Sequence, residues 1–82
     1  MSETIKRLLD ERANVLAQAR SLDEAATAEK REMSPEARAS WDGHLDHVAK
    51  LDKRLAEEQA LEKSNKAADE MRAKYEAETA VV

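Results

Sequence analysis

The side chains with the most chemical potential are His44 and His47, which stand i, i+3 on one helical pattern with Asp42 and Asp46 beside them. Imidazole and carboxylate at helical spacing can share a metal ion. Two residues three apart converge only loosely, however, and no motif supplies a third ligand. The expectation is no metal site: His44 borders an apolar seam near Trp41, and His47 is solvated. The many Asp and Glu residues include pairs at helical spacing, such as Asp46/Lys50 and Lys53/Glu57. Paired carboxylates do general acid–base work only inside a pocket, and nothing in the pattern implies one, so these charges belong to a solvated helix face. Ser21, Ser34, Ser40 and Ser64 have no accompanying base. Gly-rich phosphate loops, GxSxG and HExxH are absent. With no catalytic residues, cofactor or metal expected, an enzyme is the weakest reading.

The elements that would carry these residues are helices. Ile5, Leu8, Arg12, Val15, Ala19, Leu22 and Ala26 follow the alternating three-and-four spacing of a heptad seam. Arg12 breaks its apolar character and would be costly if fully buried. Leu9 and Leu16 widen the stripe. Ser2 is a candidate N-cap with Glu3 in the first turn. This predicts a first helix over about residues 2–30 and a break at 31–34. Ser34-Pro35-Glu36 then opens the next helix, with Ser34 as N-cap and Pro35 at the first helical position. A second helix over about 35–62 carries Ala37, Trp41, Leu45, Val48, Leu51 and Leu55 on one face. Gly43 lies inside it, either as a tolerated exposed glycine or as a point of close backbone approach. Residues 63–82 hold few large apolar side chains until Val81 and Val82. They read as a polar helical extension, a separate helix or a linker.

Composition agrees. Of 82 residues, 41% are hydrophobic and 39% charged, with one Gly, one Pro, no Cys and no Phe. Such a chain cannot build a large core alone, and so little turn chemistry argues against sandwiches, barrels and βαβ folds. The absence of Cys excludes disulfides and thiolate chemistry. No stretch approaches a membrane span, and the first residues have no apolar run of a secretory signal. The net charge of −4 is spread with both signs interleaved, and the basic doublets Lys6-Arg7, Lys30-Arg31 and Lys53-Arg54 are each balanced by nearby acids. Neither direct nucleic-acid binding nor membrane binding is expected.

The resulting fold class is all-α: an antiparallel helical hairpin or coiled coil that self-associates. Intra-chain and inter-chain pairing would use the same heptads. Its working surface is a helix–helix interface of Ile5, Leu8, Leu9, Val15, Leu16, Ala19, Leu22, Trp41, Leu45, Val48, Leu51 and Leu55. Leu9, Leu16 and Leu51 are expected to offer surface to a further helix. Replacing Leu45 or Leu51 by Asp should abolish association.

Residues 5–62 also resemble the N-terminal region of tailed-phage major capsid proteins of the Hong Kong 97 type. The matching positions are Leu9, Glu11, Arg12, Leu16, Ala19 and Leu22, then Met33, Ser34 and Glu36. They continue with Trp41, Asp42, Leu45, Val48, Leu51, Asp52, Arg54 and Leu55. The resemblance implies a scaffolding (delta) domain that works inside the immature capsid, in the host cytoplasm. Its partners would be other copies or capsid subunits, and a phage maturation protease would remove it. The alternative is a coiled-coil adaptor that binds a partner helix in a bacterial or phage complex.

Overall fold

The computed structural model describes residues 2–80, with side chains through residue 78. Among these residues there are two helices and no strand: α1, Glu3–Ala28, and α2, Pro35–Ala80. They pack against each other as an antiparallel hairpin.

Each boundary has a local cause. Ser2 caps α1, its Oγ accepting the Ile5 N–H at 3.1 Å, with Glu3 in the first turn. Ser34 caps α2 in the same way, accepting the Ala37 N–H at 3.2 Å, with Pro35 at the first helical position, where its missing N–H costs no hydrogen bond. Between them α1 ends in a Schellman motif. The Arg31 N–H donates to the Ala26 carbonyl (3.1 Å) and the Lys30 N–H to the Thr27 carbonyl (3.0 Å). Lys30 takes φ 54° to make this turn, so α1 stops at Ala28, before the expected position 30.

The core is a single seam. Ile5, Leu8 and Val15 of α1 form a buried cluster with Val48, Leu51 and Leu55 of α2, and Leu16 packs against its side. Ala19 and Ala26 carry the buried line of α1 toward the connection, with Leu22 half-buried between them. The line of α1 is therefore the heptad line of the sequence. The line of α2 is shifted: after Val48 it passes through half-buried His44, and Leu45 lies on the flank, 38% exposed. Four-three alternation back from Leu55 and Leu51 reaches position 44, and that geometry overrides the greater hydrophobicity of position 45.

The two helices differ in length. α1 has 26 residues and α2 has 46, or about 39 and 69 Å at 1.5 Å per residue. The segment after Glu62 continues α2 unbroken to Ala80, while Val81 and Val82 lie outside the described residues. No buried residue occurs beyond Leu55 among those described. The molecule is a rod of 76 × 16 × 14 Å. No helix among the described residues is long and apolar enough to cross a membrane.

Candidate helix–helix interface

Arg12, the charged member of the α1 seam, emerges at its edge and meets α2. Its Nε donates to Asp52 Oδ1 at 2.5 Å and its Nη2 reaches Oδ2 at 3.5 Å. Both side chains are about half exposed, so Arg12 escapes the burial that its seam position implied. The Asp52 hydrogen bond, and then its charge, raise the guanidinium pKa further above its ordinary value, so Arg12 is a permanent cation. On the other edge of the seam, His47 Nε2 stands 3.2 Å from Glu11 Oε1. Two polar pairs thus bracket the apolar line, one on each flank, in the register that the packed seam sets.

At the connection end Trp41 is half-buried. The Arg38 guanidinium carbon lies 5.1 Å from its ring centroid, a cation–π contact. Arg38 also reaches Asp42 one turn on, at 3.5 Å. Trp41 is therefore an edge residue with a cation over its ring, and it is not enclosed in the core.

No family model, curated protein or solved structure matches this chain.

Of the expected interface residues, Ile5, Leu8, Val15, Ala19, Val48, Leu51 and Leu55 are buried between α1 and α2. Leu16, Leu22 and Trp41 are half-buried. Leu9 and Leu45 stand outside the seam, 39% and 38% exposed. One expectation is corrected: Leu51, 6% exposed, is consumed by the hairpin and offers nothing to a further helix. Leu9 does remain available, as does the outer side of Leu16.

His47 is exposed, as its place in the pattern predicts, while the cross-seam partners Asp52 and Glu11 do not follow from the spacing alone. A cation at a seam position was the available signal, because Arg12 needed an anion one step off the facing line, where Asp52 stands. Among the described residues no group of three His, Cys, Asp or Glu side chains is arranged for a metal.

Open grooves flank the rod among the described residues. One, of about 510 Å3, lies at the step where α1 begins and α2 runs on, and includes Ser2, Thr4, Leu61 and Asn65. Another, of about 500 Å3, lies by the connection and includes Asp23, Thr27, Met33 and Arg38. Each is a notch between helices or beside a turn. Helix packing is the chemistry this arrangement favours.

Proposed function

We propose that this chain is an assembly element: a helical scaffolding domain that brings copies of a larger shell-forming body together. The observation that carries the reading is the shape. The radius of gyration is 21.3 Å, against about 12 Å for a compact domain of this length. A two-helix rod has surface and almost no interior, so helix–helix contact is the work its geometry suits. The core is thin, and a weak contact of this kind gains strength when many copies are tethered to one body, through effective concentration.

The resemblance to capsid delta domains supplies the setting. The hairpin would act inside the immature phage capsid, in the host cytoplasm, on neighbouring copies or capsid subunits. A maturation protease would then remove it. Its net negative charge, −4, would repel incoming DNA, a physical reason for removal. The part of α2 beyond Glu62, whose described residues are exposed through residue 78, is where a protease would gain access.

Peptide mapping by mass spectrometry of the natural gene product, in immature and mature particles, tests this. The expected result is peptides of this chain joined to a shell protein in immature particles and missing from mature ones. Recovery of the chain in a fixed-stoichiometry complex with no shell protein would overturn the proposal and establish the adaptor reading.

A further inference from the structure

We infer that a second copy of this chain docks on the face bearing Leu9, Leu16 and Leu45, giving a four-helix dimer in which α1 of each copy lies against α2 of the other. The inference rests on the assembly reading and names its first partner.

The two flanks of the seam are unlike. The flank marked by Glu11 and His47 also carries Gln18 and Arg54 by helical spacing. The flank marked by Arg12 and Asp52 carries a second three-and-four line on each helix: Leu9, Ala13 and Leu16 on α1, and Leu45, Ala49, Asp52 and Ala56 on α2. Leu16 touches the core cluster, so this second surface is continuous with the first. Ala13, Ala49 and Ala56 are exposed. Small side chains beside Leu allow helices to approach to about 8–10 Å.

Charge selects the occupant and its orientation. Arg12 and Asp52 sit mid-way along this face, so one copy presents both signs there. Two of the five guanidinium N–H groups are used within the chain, and the carboxylate retains acceptor capacity. A two-fold arrangement that stacks α1 on α1 would bring Arg12 toward Arg12 of the second copy, which is repulsive. A two-fold parallel to the helices stacks α1 on α2 instead. Arg12 then meets Asp52 of the second copy, and Leu16 comes level with its Leu45. Every neighbouring helix pair in that arrangement is antiparallel, as in an up-down bundle.

The test uses the 82-residue chain. Sedimentation equilibrium should give twice the 9.2 kDa monomer mass, with a melting temperature that rises with concentration. The Leu9→Glu, Leu45→Glu double variant changes side chains at the rim of the hairpin, and should lose the dimer while keeping its far-UV helicity. The chain has no cysteine, so single-cysteine variants read the geometry directly. Mixing Leu16→Cys with Leu45→Cys chains should give a disulfide-linked dimer under oxidation. A monomer at every concentration would overturn the inference, as would a dimer that survives in the Leu9→Glu, Leu45→Glu variant. Preferential crosslinking of Leu9→Cys with Leu16→Cys would also overturn it, since that reports α1 on α1. The scaffolding reading falls separately, on the particle mapping: a monomeric chain leaves it standing through tethering, and a dimer without a shell protein removes it alone.

Discussion

At the residue scale, two positions show how backbone conformation decides the value of a glycine. Lys30 adopts φ 54° at the end of α1, a left-handed conformation that costs a side-chain-bearing residue about 1–2 kcal/mol. Gly43 sits inside α2 with negative φ, and a Cβ added there would meet nothing within 4 Å. Lys30→Gly should therefore stabilise the hairpin by about 1 kcal/mol. Gly43→Ala should also stabilise it, by about 1 kcal/mol. Thermal or urea unfolding of both variants checks the pair, and a loss of stability in either would contradict the assigned backbone. The structure also separates two leucines that the sequence pattern treats alike. Leu51→Asp places a carboxylate in the buried cluster and should unfold the hairpin. Leu45→Asp, on the flank, should leave far-UV helicity in place. Circular dichroism of the two variants distinguishes them.

At the element scale, hydrogen-bonded caps close both sides of the connection. Ser34 satisfies an N–H at the start of α2 that has no partner within the helix. Ser34→Ala should cost about 1 kcal/mol, measured by chemical unfolding, and Ser34→Asp should retain most of it. The long arm of α2 has another origin. From Lys63 to Ala80 it carries five alanines among Lys, Glu, Arg and other polar residues, so propensity makes it helical. Leu61, Met71 and Tyr75 on this part of α2 are all more than half exposed. Without tertiary packing, a helix of this length is marginal in water.

At the scale of the whole molecule, stability is concentrated in the paired part of the rod. Native-state amide exchange should show protection centred on Leu8–Val15 and Val48–Leu55, with the amides of 63–80 exchanging fastest among the helical ones. Deleting residues 63–82 should change unfolding free energy by less than about 0.5 kcal/mol, as measured by urea titration. A larger loss would mean that the arm is packed in solution, against a second copy or another partner. The paired and unpaired parts explain why the fold was more legible than the site. Heptad spacing and two serine caps point to two helices over about residues 2–62 without reference to anything distant. The extent of pairing does not, because it depends on where α1 runs out alongside α2.

Taken alone, the sequence determined the all-α class, the break at Ser34-Pro35 and the buried line of α1, because caps and apolar periodicity act within a few residues of chain; it left three readings of residues 63–82, of which the structure shows the extension of α2. It also identified Arg12 as the anomaly in that line. Tertiary structure decided the rest. It chose His44 over Leu45 for the inner line of α2, paired Arg12 with Asp52 and Glu11 with His47, and placed Leu9, Leu16 and Leu45 on one flank. Those outcomes depend on the register and rotation of one helix against the other. A shift of one residue turns a helix by about 100°, so they are set only when the whole seam packs at once.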